Sequence, residues 1–160
     1  GSDLYVLSGN SIRRLDPKSP DLRALLDDHA AHSATHYPAD SNHHLDAAGL
    51  AASRARLFGG WLDGRLVAMG AYVPFGETEA EVKSMHVHVD ARGQGAGQAV
   101  LAAIMQAARS EGIHRLWLET GSRTASAAAR MLYRRAGFEE TEAFGDYRPD
   151  PESVFMMRAL

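Results

Sequence analysis

Three glycines stand on alternate positions in the segment RGQGAGQ, residues 92–98, directly before an apolar stretch with helical spacing. Glycine is costly inside regular structure, but glycines allow a large anion to come within hydrogen-bonding reach of the backbone. The first turn of a helix leaves backbone N–H groups without partners, and its dipole end is positive. We therefore expect the segment to bind an anion, for which phosphate or pyrophosphate is the best candidate.

Two familiar phosphate-binding patterns do not fit this segment. The dinucleotide fingerprint requires G-x-G-x-x-G in a βαβ unit, whereas the spacing here is G-x-G-x-G. The P-loop requires G-x-x-x-x-G-K-[ST], and neither Lys nor Ser/Thr occupies the required places. The remaining pattern is R-x-x-G-x-G, formed by Arg92, Gly95 and Gly97. From these residues alone, a glycine-rich turn without a ligand is an equally good interpretation.

Histidines are the other group with the capacity for site chemistry, since imidazole binds metals. They include His29, His32 and His36 at helical spacing, His43 and His44 in a polar segment, and His86 and His88, which alternate on a predicted strand and would share a face. The chain has no cysteine, which excludes disulfides, thiolate zinc sites and cysteine nucleophiles. Because there is no HExxH pattern either, we expect no metal site and assign the histidines to the surface or a substrate cleft.

The elements that must position these residues follow the order β-α-α-β-β-β-α-β-α-β-β, which is typical of one mixed α/β domain. Residues 11–15 are predicted as a strand, and residues 3–8 as an extra edge strand or a loose arm. A helix should begin at Pro20, because proline suits the first helical position, and should end near Pro38. A second, shorter helix is predicted over residues 45–54.

Three antiparallel strands should then precede the glycines. The runs RLFGGWL and RLVAMGAYV flank Asp63-Gly64, a strong two-residue hairpin signal, and the third strand covers residues 79–89. After the glycines we expect a helix over residues 98–111, a strand at 114–120, a helix at 126–136, and final strands at 138–144 and 153–160.

Composition limits the function classes. A length of 160 residues indicates one domain, residues 1–160, in which Gly1 and Ser2 are expected to be a tag remnant. The formal net charge of −3 argues against nucleic-acid binding, which normally requires a basic excess. No apolar run approaches the roughly 20 residues that span a bilayer, so we expect no membrane partner. The absence of cysteine fits a cytoplasmic location.

Several motifs taken together resemble the GNAT superfamily of N-acetyltransferases. The family pattern has a strand of the type L-x-V, the loop R/Q-x-x-G-x-G/A, a long helix, a strand, and a helix carrying L-Y-x-x-x-G-F. Here these parts are MHV (85–87), RGQGAG (92–97), HRLWLET (114–120) and LYRRAGF (132–138). The segments EVKSM, LETGS, FGDYRPDP and SVFM are further similar to a YsnE-like bacterial branch of small-molecule acetyltransferases.

The resemblance implies a GNAT-type acyl-CoA N-acyltransferase fold, in which a mostly antiparallel sheet of six to seven strands is flanked by about four helices. It also implies acetyl-CoA as cosubstrate, with its pyrophosphate on the backbone N–H groups of residues 92–98. The pantetheine arm would run beside residues 85–87 as a false extra strand. Many members carry asparagine seven residues before the motif tyrosine, where this chain has a serine, so that contact would be weaker or replaced. The coenzyme-binding residues implied are Met85, His86, Val87, Arg92, Gly93, Gln94, Gly95, Ala96, Gly97, Gln98 and Ser126.

Two catalytic residues are implied in the same way. Glu81 lies six residues before Val87, the spacing at which several members carry a catalytic glutamate, and it would act as general base directly or through a water. A solvent-facing glutamate paired with Lys83 is the alternative. Tyr133 would protonate the leaving sulfur, and its alternative is a tyrosine at the edge of the core. Backbone N–H groups near Val87 would hold the thioester oxygen.

The acceptor residues implied lie in three parts of the chain. Glu119 is a second carboxylate that could bind the amine. His43 and His44 fall in the segment where relatives build the acceptor pocket. Tyr147 and Arg148 belong to a proline-rich connection near the cleft mouth, where an arginine would favour a substrate with a carboxylate. An ordinary tight connection between strands is an equally good interpretation of this last segment.

We therefore predict an acetyl-CoA-dependent N-acetyltransferase that acetylates a small-molecule amine, such as an amino acid, by direct attack in a ternary complex. A non-catalytic acyl-CoA-binding module and a protein N-acetyltransferase are the alternatives. The last strands could also form a homodimer interface.

Overall fold

The computed structural model describes residues 5–7, 10–36 and 54–160. Within these ranges the chain forms eight strands, three α-helices and two 3-10 turns. The strands are β1 (Tyr5–Leu7), β2 (Asn10–Arg14), β3 (Arg56–Leu62), β4 (Arg65–Phe75), β5 (Glu79–Val87), β6 (Arg115–Gly121), β7 (Glu139–Thr141) and β8 (Ser153–Ala159). The helices are α1 (Pro20–His36), α2 (Ala96–Ser110) and α3 (Ala127–Arg135), and the 3-10 turns at Val89–Ala91 and Thr124–Ser126 precede α2 and α3.

All eight strands belong to one sheet in the order β1-β2-β3-β4-β5-β6-β8-β7. Every pairing is antiparallel except that of β5 with β6. The predicted mixed α/β class with a mostly antiparallel sheet is thereby confirmed. The strand beyond the expected six to seven is β1, which pairs with β2 and is therefore an edge strand rather than a loose arm. The helix predicted over residues 45–54 lies outside the described residues, apart from residue 54.

Helix α1 covers one face of the sheet. It begins at Pro20, as its start signal predicts, and its buried residues Leu22, Leu25 and Leu26 recur at helical spacing. They pack on a cluster that includes Leu57 and Met69 from the central strands. This face is called the α1 face below.

Helices α2 and α3 cover the opposite face, called the α2 face. Val100, Leu101 and Ile104 of α2 are almost fully buried and join a larger core with residues of β4, β5 and β6. Tyr133 of α3 belongs to the same core. The sheet thus separates two apolar layers, and any cleft through the sheet connects one layer with the other.

Two predicted strands are shorter than expected. The hairpin at Asp63-Gly64 is confirmed by the pair Leu62–Arg65, but β5 ends at Val87 rather than at residue 89. Strand β7 has three exposed residues instead of the seven predicted for 138–144. Phe144 leaves the strand because it packs in an aromatic cluster with Trp117 and Phe155.

Candidate active site

The two central strands β5 and β6 separate halfway along their length. Their parallel ladder runs from the pair Glu79–Arg115 to the pair Val82–Leu118 and stops there, although both strands continue. Beyond this point the edge of β5 that faces β6 is without a ladder partner among the described strands. Such an edge can pair with the amide groups of an extended ligand.

A β-bulge in β5 sets which side chains face which layer. Lys83 pairs with Ala71, but His86 pairs with Met69, so Ser84 and Met85 together oppose a single residue of β4. Directly opposite residues share a face, and Ala71 and Met69 both belong to the α1-face core. Lys83 and His86 therefore face α1, although their spacing of three would place them on opposite faces of a regular strand.

Ser84 carries the backbone strain of this bulge. Its φ of 58° lies in the left-handed region, which costs a non-glycine residue on the order of 1–3 kcal/mol. The residue is 7% exposed, and its Oγ has no hydrogen-bond partner among the described residues. Sequence reasoning missed the bulge, because the run EVKSMHV has the alternation of a regular strand and no glycine marks the irregular position.

The gap between β5 and β6 opens into a cavity of about 570 Å³, called the coenzyme cleft. Ten of the eleven residues predicted to bind the coenzyme line it: Met85, His86, Val87, Arg92, Gly93, Gly95, Ala96, Gly97, Gln98 and Ser126. Gln94 does not, and its side-chain amide donates a 3.4 Å hydrogen bond to the carbonyl of Asp90 instead.

The glycine loop brings the start of α2 to this cleft. Gly95 is the N-cap with φ 82°, so α2 begins at Ala96, two residues earlier than predicted. Gly97 has a different reason to lack a side chain, since a Cβ there would lie 2.8 Å from Cγ2 of Val87. The first turn of α2 can therefore lie close to β5 at the cleft, and its N–H groups are suited to a diphosphate.

Tyr133 lies on α3 and reaches the cleft from the α2 face. The residue is 6% exposed, and its ring packs edge-on against Phe138. Within the described part of the chain its hydroxyl makes no hydrogen bond, although it lines the cleft. Burial, with the nearby Glu119 adding to it, raises the pKa of the Tyr133 hydroxyl well above its ordinary value. The group therefore carries its proton at any working pH.

Glu81 lies at the same cleft on the α1 face, in a cluster with Tyr147 and Lys83. The Tyr147 hydroxyl donates a 2.5 Å hydrogen bond to Oε2 of Glu81, and Lys83 Nζ donates to Tyr147 Oη at 3.1 Å. Lys83 Nζ also lies 3.4 Å from the same Oε2. The pairing with Lys83 that the sequence allowed is thus present, and it coexists with a position in the cleft.

Tyr147 is held in place by other aromatic rings. Its ring centroid lies 5.1 Å from that of Phe144 and 5.6 Å from that of Phe155, and Phe144 stacks on Phe75 in turn. Burial and the hydrogen bond to Glu81 raise the pKa of the Tyr147 hydroxyl far above its ordinary value. It therefore acts as a donor in this cluster.

A second cavity of about 720 Å³ lies beside the first and is called the acceptor cavity. Glu81, Lys83 and Tyr147 line both cavities, so this cluster forms the wall between them. Phe75, Phe144 and Arg148 supply an aromatic surface and a cation on the far side. Two residues predicted as acceptor-binding, Tyr147 and Arg148, thus line the acceptor cavity.

The remaining predicted residues have separate positions. Glu119 lines the coenzyme cleft, and Ser153 Oγ donates a 2.7 Å hydrogen bond to its Oε2. His43 and His44 lie outside the described residues. In the described ranges, no group of three His, Asp or Glu side chains is placed to hold a metal ion. None of the described helices is long and apolar enough to cross a membrane.

The prediction that His86 and His88 share a strand face is wrong. His86 is turned toward α1, where its Nε2 lies 2.5 Å from Asp28 Oδ2, and His88 follows the end of β5. There His88 Nδ1 accepts a hydrogen bond from the backbone N–H of Asp90 and so caps the 3-10 turn. Since the side chain of His86 is committed to Asp28, its contact with a coenzyme would come from its backbone.

Comparison with known proteins identifies relatives over most of the chain. The model of the acetyltransferase (GNAT) family matches residues 20–138. A protein of Azospirillum brasilense named IAA acetyltransferase is 37% identical over 153 residues, covering 94% of this chain and 97% of the relative. The uncharacterized N-acetyltransferase YsnE of Bacillus subtilis is 33% identical over 137 residues, covering 86% and 91% of the two chains.

The fold is similar to that of solved structures. A structure from Klebsiella pneumoniae, assigned to the acyl-CoA N-acyltransferases, is 30% identical with a TM-score of 0.78. The similarity covers 94% of this chain and 97% of that one. The GNAT-type fold and the resemblance inferred from the glycine loop and the tyrosine motif are thereby confirmed.

Proposed function

Since the chain belongs to the GNAT family of acetyl-CoA-dependent N-acetyltransferases, we propose that it acetylates the amine of a small molecule by direct attack in a ternary complex. The observation that carries this proposal is the wall shared by the two cavities, in which Glu81 faces both. An acceptor in one cavity and a coenzyme in the other would meet at this carboxylate.

The coenzyme would supply an activated acetyl thioester. The residues that would hold it are the free edge of β5 after Val82 and the first turn of α2. Arg92 also lines the coenzyme cleft and offers a cation for the diphosphate. These groups fit an extended ligand with amides along its length and negative charge at one end.

The chain's own groups then account for the proton transfers. Glu81 accepts a proton from the attacking amine, directly or through a water, as the nitrogen–acetyl bond forms. Tyr133, whose pKa is raised by burial, donates a hydrogen bond and then its proton to the sulfur as the carbon–sulfur bond breaks. Solvent returns a proton to Tyr133, and Glu81 releases the one it accepted, so that both groups regain their starting states. The products are the N-acetyl amine and the free thiol. Backbone N–H groups on the free edge of β5 are suited to hold the carbonyl oxygen.

The acceptor cavity favours a small amine with a carboxylate. Its volume of about 720 Å³ lies within the usual range of small-molecule pockets, about 300–1,000 Å³. Arg148 offers a cation to a substrate carboxylate, and Asp146 and Asp150 offer carboxylates to an amine. Phe75 and Phe144 add apolar surface. An amino acid fits this combination, and the name of the Azospirillum relative indicates a small acceptor for that protein.

The proposal predicts the effect of Glu81→Gln. Removing the base should lower kcat on the order of 10²-fold, because general bases contribute roughly 10²–10⁴-fold, while the Kd of acetyl-CoA is unchanged. The measurement is free-thiol release with acetyl-CoA and a panel of amines, which includes amino acids and their decarboxylated counterparts. Glu79→Gln, the same change on the same strand outside both cavities, is the control.

Two results would contradict the proposal. If the protein binds acetyl-CoA but no small amine causes thiol release, the proposal of a small-molecule acceptor is wrong. If Glu81→Gln and the unaltered chain have equal kcat values, Glu81 is not the general base. If the enzyme prefers the decarboxylated amines, the expectation that its acceptor carries a carboxylate is wrong.

A further inference from the structure

Resting on the proposed function, we infer that Tyr147 is the positioning residue of the base: it anchors one oxygen of Glu81 so that the other is presented to the acceptor amine. The two contacts to Glu81 converge on a single atom. Tyr147 Oη lies 2.5 Å from Oε2, and Lys83 Nζ lies 3.4 Å from the same oxygen. Oε1 makes no hydrogen bond or ion pair with any residue that the structure describes.

This asymmetry assigns different tasks to the two oxygens. A carboxylate that accepts a charge-assisted hydrogen bond loses the freedom to rotate about its last torsion. Oε2 is occupied by a hydroxyl that remains protonated, so it is not the oxygen that takes a proton from the amine. Because Glu81 lines both cavities, its Oε1 is the oxygen left to accept the proton of the amine.

The anchor is itself rigid. Phe144 and Phe155 flank the ring of Tyr147, and Lys83 donates to its hydroxyl oxygen, which fixes the direction in which the hydroxyl proton points. The connection that carries Tyr147 is tied to β6, since Ser122 Oγ donates a 2.8 Å hydrogen bond to the carbonyl of Pro151. Tyr147 is therefore preorganised before any ligand binds, as a positioning residue must be.

Several charged groups besides this pair lie around Glu81 and Tyr147. Lys83 lies on its own strand, and Glu119 on β6 acts electrostatically on Tyr147. Asp146, Arg148 and Asp150 line the acceptor cavity from the connection before β8. All of these remain when only the Tyr147 hydroxyl is removed, so a change in kcat on that substitution reports the loss of the anchor alone.

The test is Tyr147→Phe, which keeps the aromatic packing and deletes the hydroxyl. We expect kcat to fall roughly 10- to 100-fold, as the loss of a hydrogen bond to a charged group predicts, with the Kd of acetyl-CoA unchanged. The KM of the acceptor should stay unchanged, so that the loss lies in kcat alone.

Tyr72→Phe is a matched control. Tyr72 also donates to a glutamate, Glu111, at 2.7 Å, and neither residue lines the two cavities. This substitution should cost stability without altering kcat. If Tyr147→Phe only destabilises the protein to the same degree, the positioning role is overturned.

A double-substitution cycle separates this inference from the proposed function. If Tyr147 acts through Glu81, adding Tyr147→Phe to Glu81→Gln should cause no further loss of kcat. Additive losses would overturn positioning while leaving Glu81 as the base. A rise in acceptor KM alone would make Tyr147 a substrate contact instead. Full activity of Glu81→Gln would contradict the base itself, whatever Tyr147→Phe does.

Discussion

At the scale of single residues, the site places its candidate base and acid on opposite faces of the sheet. Glu81 neighbours Lys83 on the α1 face, whereas Tyr133 belongs to the core under α2 and α3. The separation of β5 from β6 connects the two layers, so both side chains line one cleft. In the proposed mechanism the amine is therefore deprotonated from one face of the sheet and the sulfur is protonated from the other.

Tyr133→Phe should affect the chemical step and little else. The ring keeps its edge contact with Phe138, and the hydroxyl has no hydrogen bond to lose among the described residues, so stability should change by less than about 1 kcal/mol. We expect kcat to fall on the order of 10²-fold, because the leaving sulfur loses its proton donor. Stopped-flow measurement of thiol release tests the expected fall in kcat. Calorimetry with acetyl-CoA tests whether coenzyme binding is unchanged.

The same experiment distinguishes an acid from a structural tyrosine. A loss of stability with normal kcat would assign Tyr133 to the core alone. The sequence alone could identify Tyr133, because the motif LYRRAGF that contains it is a short contiguous segment. The contact between Tyr147 and Glu81 spans 66 positions and has no comparable signal, so only the fold reveals it.

At the scale of elements, the junction of β5 and α2 explains which glycines the loop requires. Gly95 has positive φ and open space around it, as expected of an N-cap that leaves room for a ligand. Gly97 is required by packing, since a Cβ would approach Val87 to 2.8 Å. Sequence spacing predicted a phosphate loop but could not separate these two reasons, because one is set by the backbone and the other by a strand brought close by tertiary folding.

Gly97→Ala should therefore destabilise the protein, although alanine is the better helix former by about 1 kcal/mol. We expect a net loss of about 1–3 kcal/mol from overpacking against Val87, together with weaker binding of acetyl-CoA as α2 moves away from β5. Urea unfolding and calorimetry measure the two effects.

Val87→Ala provides the matched background for that prediction. It removes the Cγ2 atom that the new Cβ would meet, so Gly97→Ala should cost much less there than in the unaltered chain. Equal costs in both backgrounds would show that the contact with Val87 does not determine the requirement for glycine.

At the scale of the whole molecule, the order of the elements that the structure describes was predictable, because the hydrophobic period changes clearly between strands and helices. The two-layer arrangement follows from the leucines of α1 and the apolar stripe of α2. The bulge at Ser84 was not predictable, and it reverses the facing of every later residue in β5. His86 is consequently packed against α1, and its burial there predicts a contribution to the acid sensitivity of the fold.

Burial lowers the pKa of His86, and this outweighs the carboxylate of Asp28, which acts to raise it, while Arg92 and His88 add to the lowering. The folded state therefore resists protonation that the unfolded chain accepts below about pH 6.5. Because the unfolded state then binds more protons, the free energy of unfolding should fall as pH drops below that value and should be insensitive to His86 above it. Urea unfolding between pH 8 and pH 5 measures this slope.

His86→Gln separates this effect from other titrations, since glutamine can still donate to Asp28 but cannot be protonated. Its unfolding free energy should depend less on pH between pH 7 and pH 5 than that of the unaltered chain. Glu111 does not interfere in this range: burial would raise its pKa, but hydrogen bonds from Arg56 and Tyr72 hold it below the usual value, so its contribution is lost only at lower pH. Parallel pH profiles for the two chains would show that His86 is not the group through which acid loosens the contact between α1 and the sheet.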